Sequence, residues 1–366
     1  MEIQYTRRLR KIEAVLDEWL PEEPTPSWLR LVFGNADYPP QYAAALAQPG
    51  RDLLGRGGKR WRPLLMMLIA ECIAGERGGE TALPLTPLVE FTHNASLIHD
   101  DIEDNSDERR GKPAVHLIYG TDTAINSGAF MYFLPLACLS AWEQTQKKSA
   151  SGGELIGRIW AAWASHMRAL HLGQAMDISW HRDFNSLPGL DEYDRMCRLK
   201  TGCLAHLAAV LGSYCGISAL INENAESSVY QLLPELLGSA AEQLGVGFQI
   251  LDDVKNLDTG VPGKKRGDDI VEGKKSLPVL LYLHRYPEKA SFAARCFTAA
   301  RERGTGADEV EEFIDEMKKA GVLEEARQKG RAYIDESRRI FSAPDLAGVP
   351  LMKEARELLA GLVDSF

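Results

Sequence analysis

The sequence has little of what several classes of protein need. Its six cysteines show no CxxC spacing, which disfavours a disulfide framework or zinc site and suits buried free thiols in a reducing, cytoplasmic setting. Acidic residues outnumber basic ones, and the net charge of -10 argues against a nucleic-acid-binding protein. No apolar run reaches about 18 residues, so we expect no transmembrane span. GxGxxG and GxxxxGK[ST] motifs are missing, so a nucleotide P-loop is not predicted.

The hydrophobic pattern is helical throughout. Apolar residues recur at intervals of three and four, whereas sustained alternation with period two is missing, and an all-α fold is therefore predicted. Turn-forming residues predict helix breaks near residues 21–27, 38–40, 78–79, 144–154, 185–188, 260–267 and 343–350. None of these breaks is long enough to be a linker. We therefore expect one domain over residues 1–366, with an N-terminal helical extension at 1–50, a motif-bearing core at 57–278 and C-terminal helices at 279–366.

The most informative segment is LIHDDIEDNSDERRGKP, residues 97–113. On a helix, Asp100, Asp101 and Asp104 project from an arc of roughly 100°. Clustered carboxylates repel one another unless cations bind, and Mg²⁺ suits such a site because it leaves positions for water and phosphate oxygens. The two arginines that follow have planar groups suited to phosphate. The segment predicts a site for Mg²⁺ and a diphosphate, although a solvated acidic helix end is the alternative for this motif alone.

A second acidic cluster lies far downstream in FQILDDVKNLD. Asp252, Asp253 and Asn256 stand at the same offsets as the first cluster, with Gln249 one turn earlier. If the two helices face one cavity, several Mg²⁺ ions could connect both clusters to one diphosphate. Basic residues that could hold diphosphates are Lys59, Arg60, Arg62, Lys200, Lys264, Lys265, Lys274 and Lys275. Each lysine alone is more often a solvated surface charge.

Taken in order, GGKRWRP, HNASLIHDDIEDNSDERRGKPAVH, GQAMD, LKTG, FQILDDVKN and GDDIVEGKKSLP resemble the trans-prenyltransferase family of isoprenyl diphosphate synthases. The subgroup that the chain resembles most is the eukaryotic type of geranylgeranyl diphosphate synthase. The resemblance covers residues 57–278 and implies the isoprenoid synthase fold, in which helices surround a deep central cavity. It also implies a homodimer with about three Mg²⁺ ions in each active site.

The activity implied is the condensation of isopentenyl diphosphate with an allylic diphosphate (dimethylallyl, geranyl or farnesyl) by ionisation, condensation and elimination. By motif position, the expected Mg²⁺ ligands are Asp100, Asp101, Asp104, Asp252 and Asp253. The allylic diphosphate would be held by Arg109, Lys200, Lys265 and Lys274, and isopentenyl diphosphate by Lys59, Arg60, His93 and Arg110. The catalytic residues beside the carbocation would be Lys200, Thr201 and Gln249. Asn256 replaces the usual aspartate, so a metal bond from Asn256 is doubtful.

Product length is expected to depend on residues below the first cluster. One helical turn rises about 5.4 Å, close to the roughly 5 Å of an isoprene unit, so each turn corresponds to one unit. Ala95 and Ser96 are small one turn down, which disfavours a fifteen-carbon product. We hypothesise that Tyr132, Phe133 and His171 close the pocket near twenty carbons, as in geranylgeranyl diphosphate. Ordinary core packing is the alternative for this aromatic run.

Other functions stay open at this point. A farnesyl or longer polyprenyl diphosphate synthase would differ only in product length. A class I terpene cyclase has a similar helical fold and acidic motif but would not need the residues for isopentenyl diphosphate. A metal-dependent phosphohydrolase would use His93 and His99 beside Asp100 as zinc or iron ligands, and it leaves the second cluster unexplained. A noncatalytic partner subunit would be expected to lose one acidic cluster, whereas this chain retains both.

Overall fold

The computed structural model describes residues 2–146, 152–220, 228–260 and 265–366, which lie mainly in helices. This confirms the all-α prediction. The α-helices, in chain order, are α1 Glu2–Trp19, α2 Pro26–Phe33, α3 Pro40–Gly55, α4 Trp61–Ala82, α5 Pro87–Glu103, α6 Val115–Tyr119, α7 Thr121–Gln146, α8 Gly152–Arg182, α9 Leu190–Cys197, α10 Cys203–Leu220, α11 Leu233–Asp258, α12 Asp268–Glu272, α13 Leu277–Arg285, α14 Ala290–Arg303, α15 Asp308–Lys319, α16 Val322–Phe341 and α17 Lys353–Val363.

Short elements complete the described secondary structure. The 3₁₀ turns are Leu83–Leu85, Ser228–Leu232, Pro287–Lys289 and Gly304–Gly306, and a π-helical turn, Arg198–Gly202, joins α9 to α10. Two antiparallel hairpins pair β1 Glu108–Arg109 with β2 Lys112–Pro113 and β3 Asp345–Leu346 with β4 Val349–Pro350. Strands of two residues are too short to carry a hydrophobic period, which is why the sequence pattern did not predict them.

Most predicted helix breaks fall between helices, but the break at residues 78–79 is wrong. Gly78 and Gly79 are buried inside α4, and the chain bends earlier, at Ala74 and Gly75. Gly75 has a φ of 60° and a ψ of −150°, a conformation that residues with a Cβ avoid. The bend therefore depends on backbone conformation at one glycine and not on the glycine pair. Parts of two other predicted breaks, residues 147–151 and 261–264, lie outside the described residues.

The contacts within the chain cluster into two compact units. Unit 1 comprises Met1–Ser165, Leu204–Ser239 and Ile340–Ser365, and unit 2 comprises His166–Cys203, Ala240–Arg339 and Phe366. Each unit has its own set of packed helices and is described separately below. The sequence-based expectation of a single domain over the whole chain stays a prediction.

Helix α4 forms the centre of unit 1. Every residue from Trp61 to Ile73 is buried, so this half of the helix is enclosed on all sides. Helix α17 packs against α4, while α3 and α5 both pack against α7. The buried carboxylate of Glu71 is compensated by Arg8 of α1, whose Nη2 lies 2.7 Å from Glu71 Oε2. Helix α5, which carries the first acidic cluster, is thus held by a well-packed helical core.

Unit 2 has a large hydrophobic core of its own. Helix α11 contributes Val246, Ile250, Val254 and Leu257, which follow one another at helical spacing and are 2% exposed or less. Helix α14 packs against α12 and α15, and α13 packs against α9. The second acidic cluster lies on the same helix as this stripe, so the core fixes the rotation of α11 and hence the directions of its aspartates.

All six cysteines are buried and free, as their spacing predicted. Among the described residues, two helical stretches are long and apolar enough to cross a membrane by length and composition, Thr121–Thr145 and Leu190–Leu220. Within their most apolar windows, 44% and 72% of the residues are buried in the protein. Core helices of globular proteins pass the same test, so this finding is weak evidence for a span.

Candidate active site

The first aspartate cluster lies at the C-terminal end of α5. Asp101 is 0% exposed, and its Oδ1 accepts hydrogen bonds from Arg109 Nε, at 2.8 Å, and from Arg109 Nη2. The same guanidinium is 3.7 Å from Asp100 Oδ2. A charge-assisted pair of this kind offsets the cost of burying a carboxylate. Asp101 is therefore bound by the protein itself, while Asp104 follows at the first position after the helix.

The hairpin β1–β2 separates the two arginines of the DERRGKP segment. Arg110 and Gly111 form its turn with φ values of 55° and 74°, the left-handed pair typical of two-residue hairpins. Arg109 consequently reaches Asp101, whereas Arg110 Nη1 donates to Leu53 O at 3.0 Å and to Asn94 Oδ1 at 3.2 Å. The two adjacent arginines have different surroundings, and their assignment to different substrates stays a prediction.

Positive charge is concentrated around His93 in unit 1. Arg62 Nη1 lies 3.3 Å from His93 Nε2. The pKa of His93 lies well below its usual value, first because the side chain is buried and then because of the positive charges of Arg62, Arg110, Arg109 and Arg60. The imidazole is therefore neutral at pH 7. Burial also lowers the pKa of Arg110 to about 10, since the attraction of Glu90 does not offset it. A group of cations that destabilise one another in this way favours a bound polyanion.

Arg60, whose charge also acts on His93, is already engaged by other groups of the protein. It is 4% exposed and each of its nitrogens already donates, Nε to Glu13 at 2.8 Å, Nη1 to Glu90 at 2.8 Å and Nη2 to Leu54 O at 2.6 Å. These contacts anchor the start of α4. Arg62, in contact with His93, is a further candidate, and the assignment of Arg60 to isopentenyl diphosphate stays a prediction. Arg60 precedes α4 in the left-handed conformation, with φ 46°, whereas Arg62 lies in the first turn of the helix, and the local sequence carries no signal that separates the two arginines.

In unit 2, a lysine and a carboxylate meet beside the π-helical turn. Lys200 Nζ donates to Asp177 Oδ2 of α8 at 2.6 Å. A Cβ added to Gly173 would lie 2.5 Å from Lys200 N, so only glycine allows α8 to pack directly on this turn. Insertions of π-helix are frequent at functional sites. The GQAMD and LKTG motifs, whose individual signals were weak, are therefore brought together.

The second aspartate cluster forms a hydrogen-bonded row with Thr201. Thr201 Oγ1 donates to Gln249 Oε1 at 2.8 Å, and Gln249 Nε2 donates to Asp253 Oδ1 at 2.8 Å. The other oxygen, Asp253 Oδ2, accepts from the buried Tyr193 hydroxyl at 2.7 Å. Burial raises the pKa of Asp253 to about 6, although both hydrogen bonds act in the opposite direction. Tyr193, which the sequence analysis did not select, is the partner of a predicted Mg²⁺ ligand.

Asn256 has a structural role in this conformation. It is 1% exposed, its Oδ1 accepts from Asp269 N at 3.3 Å, and its backbone oxygen accepts from Gly267 N at 3.1 Å. These contacts fasten the turn before α12, in which the backbone N of Lys265 donates to Asp268 at 2.6 Å. Lys274 follows α12 and pairs with Glu272 at 2.5 Å. Lys264 lies outside the described residues.

The residues predicted to set product length differ in exposure. Ala95 is 0% exposed, whereas Ser96 is partly exposed and its hydroxyl donates to His93 O at 2.8 Å. Tyr132 stacks on His99 with ring centroids 5.6 Å apart, and Phe133 is 65% exposed. His171, in unit 2, is exposed. The structure thus brings Tyr132 beside the helix turn that precedes Asp100, and it does not enclose Phe133 within unit 1.

The donor set of the two clusters fits Mg²⁺ better than a softer metal. The predicted ligands are all carboxylates, the oxygen donors that Mg²⁺ prefers. Within the described ranges, no three His, Cys, Asp or Glu side chains form a group able to hold a metal by themselves. Mg²⁺ commonly uses one or two carboxylates together with substrate phosphates and water, so a closed protein cage is not needed. His93 lies among arginines and His99 against Tyr132, which does not favour the phosphohydrolase alternative.

Comparison with known proteins identifies the family of the chain. The family model described as polyprenyl synthetase matches residues 43–317. A geranylgeranyl pyrophosphate synthase from Neocamarosporium betae is 36% identical over 279 residues, which cover 75% of this chain and 67% of that protein. A geranylfarnesyl diphosphate synthase from Aeropyrum pernix is 29% identical over 318 residues, covering 85% and 90%. The crystal structure of geranylgeranyl pyrophosphate synthetase from Pyrococcus horikoshii superposes with a TM-score of 0.78 and 25% identity, covering 99% of this chain and 97% of that one.

The chain therefore belongs to the polyprenyl synthetase family. It is a trans-prenyltransferase that condenses isopentenyl diphosphate with an allylic diphosphate. Enzymes of this family generally depend on Mg²⁺.

Proposed function

We propose that this enzyme produces geranylgeranyl diphosphate and that unit 1 binds isopentenyl diphosphate through the cations around His93. The observation that carries the assignment of isopentenyl diphosphate is the concentration of Arg62 and Arg110 around His93, with Arg62 Nη1 3.3 Å from His93 Nε2, because a bound diphosphate would neutralise this charge. Lys59, Arg62, His93 and Arg110 form the proposed set. Arg60 is left out because Glu13, Glu90 and Leu54 already occupy its three nitrogens.

In unit 2, we propose Lys200, Lys265 and Lys274 as cationic ligands of the allylic diphosphate, and in unit 1 we assign Arg109 to a diphosphate by its motif position. As Mg²⁺ ligands we propose Asp100 and Asp104 in unit 1 and Asp252 in unit 2, and we expect about three ions in each chain. Asp101 and Asp253 are assigned supporting roles, since Arg109 binds the first and Tyr193 and Gln249 bind the second. The chemistry that Mg²⁺ supplies when bound is neutralisation of the charge that develops on the diphosphate.

The reaction needs no nucleophilic side chain. The bond between C1 of the allylic chain and the diphosphate oxygen breaks, and Lys200 donates to the departing oxygen from a position already fixed by Asp177. The oxygens of Thr201 and Gln249 stabilise the allylic cation without attacking it. The double bond of isopentenyl diphosphate then forms the new carbon–carbon bond, and the proton that it loses goes to the released diphosphate. Holding both substrates together accounts for a further large part of the rate.

Product length is assigned to the residues below Asp100. Ser96 is partly exposed one turn below, and Tyr132 packs beside the same helix. A Ser96→Phe replacement is expected to shorten the main product by one isoprene unit, because one helical turn and one unit have similar lengths. An unchanged product would remove Ser96 from the set. Phe133 and His171, both exposed in the chain, are retained only as secondary candidates.

A homodimer is proposed on the basis of an exposed apolar face of unit 1. Leu117, Ile118, Ile125 and Phe133, on α6 and α7, are between 46% and 65% exposed. Exposed apolar side chains mark interaction sites where they form one patch, and we propose that a second copy covers these four by twofold symmetry. We also retain a cytoplasmic location as a proposal, since six buried free thiols suit a reducing compartment.

The decisive experiment incubates the purified protein with Mg²⁺, labelled isopentenyl diphosphate and each allylic diphosphate in turn, and sizes the dephosphorylated products. Geranylgeraniol is expected as the main product. Farnesol or a longer alcohol would overturn the C20 assignment. Geranylfarnesol should be included as a reference compound, because one relative is named for the corresponding diphosphate. Failure to consume isopentenyl diphosphate would refute the function itself. Arg62→Met should raise the KM for isopentenyl diphosphate at unchanged KM for the allylic substrate.

A further inference from the structure

A row of four hydrogen-bonded side chains runs through unit 2, and its last member has no role in the function proposed above. The row is Thr201, Gln249, Asp253 and Tyr193, with successive distances of 2.8, 2.8 and 2.7 Å. Tyr193 is 2% exposed and Asp253 6% exposed. Three different elements contribute, the π-helical turn, α11 and α9, so the row is a tertiary feature and not a helix-surface pattern.

The chemistry of Asp253 sets the direction of every bond in the row. An ionised carboxylate only accepts, so Gln249 must turn its NH₂ group towards Asp253. The amide oxygen of Gln249 then faces Thr201, which must donate its hydroxyl hydrogen. The remaining lone pairs of Thr201 Oγ1 are therefore available on the side away from Gln249. An electron-rich oxygen without a competing hydrogen suits a neighbouring carbocation.

Tyr193 keeps the acceptor of this row in place. Its hydroxyl satisfies Asp253 Oδ2, and its ring is packed in the core of unit 2 with Met196, Cys197 and Ile250 among its members. Without that hydroxyl, a buried carboxylate oxygen would lack its donor, and rotation of Asp253 would release Gln249. The amide could then turn over and reverse the hydrogen bond with Thr201.

We propose that Tyr193 is a positioning residue of the active site, which fixes Asp253 and thereby the amide orientation of Gln249 and the hydroxyl direction of Thr201. This inference depends on the proposed function, because it assigns Thr201 and Gln249 to the cation. Tyr193 touches neither substrate nor the reacting atoms. Its effect is confined to the ionised intermediate, so it alters turnover and not the binding of diphosphate.

The test compares Tyr193→Phe with Tyr282→Phe in the full-length enzyme with Mg²⁺. Tyr282 is a matched control, since it is also 2% exposed in the core of unit 2 and its hydroxyl donates to a carboxylate, Glu316, at 3.3 Å. We expect Tyr193→Phe to lower kcat about tenfold. The KM for isopentenyl diphosphate, and the Kd for inorganic diphosphate with Mg²⁺ measured by calorimetry, should stay within about twofold. Tyr282→Phe should leave all three quantities unchanged.

A double-mutant cycle that combines Tyr193→Phe with Thr201→Val tests whether the effect of Tyr193 on kcat passes through Thr201. If Tyr193 acts through Thr201, the double variant loses less than the product of the two single losses. Independent losses, a wild-type kcat in Tyr193→Phe, or equal losses in the two tyrosine variants would overturn the proposal. Incorporation of 3-fluorotyrosine at position 193 keeps the hydroxyl and should restore kcat to within about twofold of the wild type.

The outcomes separate this inference from the function beneath it. Wild-type enzyme that does not consume isopentenyl diphosphate refutes the proposed function. Wild-type turnover with an unaffected Tyr193→Phe variant refutes the positioning role alone. If Tyr193→Phe is unfolded at the assay temperature, Asp253→Asn tests the same link from the acceptor side. It should lower kcat to a similar extent, and a wild-type kcat in a folded Asp253→Asn protein would overturn the proposal.

Discussion

Asp101 and Asp253 are the second aspartates of two similar acidic motifs, yet the protein stabilises them in different ways. Both are buried, at 0% and 6% exposure. Asp101 is paired with the charged guanidinium of Arg109, whereas Asp253 receives hydrogen bonds from the neutral groups of Tyr193 and Gln249. For Asp253, the neutral donors do not offset the cost of burial, and its pKa rises to about 6. The two buried carboxylates are thus stabilised by different kinds of donor, a full opposite charge at Asp101 and two dipoles at Asp253.

The difference matters for function because each arrangement leaves different groups available. The pair with Asp101 fixes the position of Arg109, a cation that the sequence assigned to the allylic diphosphate. The hydrogen bond from Tyr193 to Asp253 involves no cation. Lys200 is paired with Asp177, and Asp253 orients the amide group of Gln249. The first cluster is therefore organised by charge and the second by hydrogen-bond direction. Four experiments can break or sharpen this contrast.

The largest effect is expected from Asp101→Asn. The neutral amide cannot compensate Arg109, and loss of a buried charged partner costs about 4 kcal/mol of unfolding free energy. Misplacement of Arg109 should also lower kcat by roughly 10²- to 10³-fold. Urea unfolding and steady-state kinetics measure the two effects. A loss of activity below about tenfold would mean that the charge of Asp101 is not what organises the first cluster.

The next effect distinguishes Arg60 from Arg62. Arg60→Met removes the cation that is paired with the buried Glu90 at 2.8 Å and should cost about 3 kcal/mol in unfolding free energy. Arg62→Met should change stability little and raise the KM for isopentenyl diphosphate by at least about tenfold. Chemical unfolding and substrate titrations report the two quantities on matched arginine-to-methionine variants. The reverse pattern would restore Arg60 to the substrate site.

Some features of the fold and of the candidate site could be predicted from the sequence, and others could not. Helical type and buried cysteines followed from local periodicity and composition, because both are properties of neighbouring residues. Partners across long sequence separations did not follow, and Tyr193 meets Asp253 at a separation of 60 residues. The choice between Arg60 and Arg62 depended on where α4 begins and on Glu13, which reaches Arg60 from α1. The π-helical turn that carries Lys200 also has no local sequence signal that we recognised.

A smaller effect is expected for the pH dependence of stability that comes from Asp253, the aspartate that accepts hydrogen bonds from Tyr193 and Gln249. The pKa of Asp253 is raised from 3.8 to about 6, so the folded state binds its proton more tightly than the unfolded state does. Its contribution to stability is therefore fully present below about pH 4 and is lost as pH rises through about 6. In buffer without divalent cations, wild-type stability relative to Asp253→Asn should fall by on the order of 2 kcal/mol between pH 4 and pH 7. A constant difference, measured by urea unfolding at each pH, would contradict the assignment of the shift to burial.

The smallest effect is expected at Asp258, a carboxylate that has cationic partners but is not buried. Arg327 Nη2 lies 3.0 Å from one of its oxygens and Lys318 Nζ 3.1 Å from the other, and its side chain is 35% exposed. If cationic partners alone determined the cost of losing a carboxylate, Asp258→Asn would be as damaging as Asp101→Asn. Because water already solvates Asp258, we expect a loss below about 1 kcal/mol that decreases further at high salt, with unchanged kcat. Urea unfolding at low and high sodium chloride decides the matter, since a large loss that salt does not reduce would show that burial is not what separates the two sites.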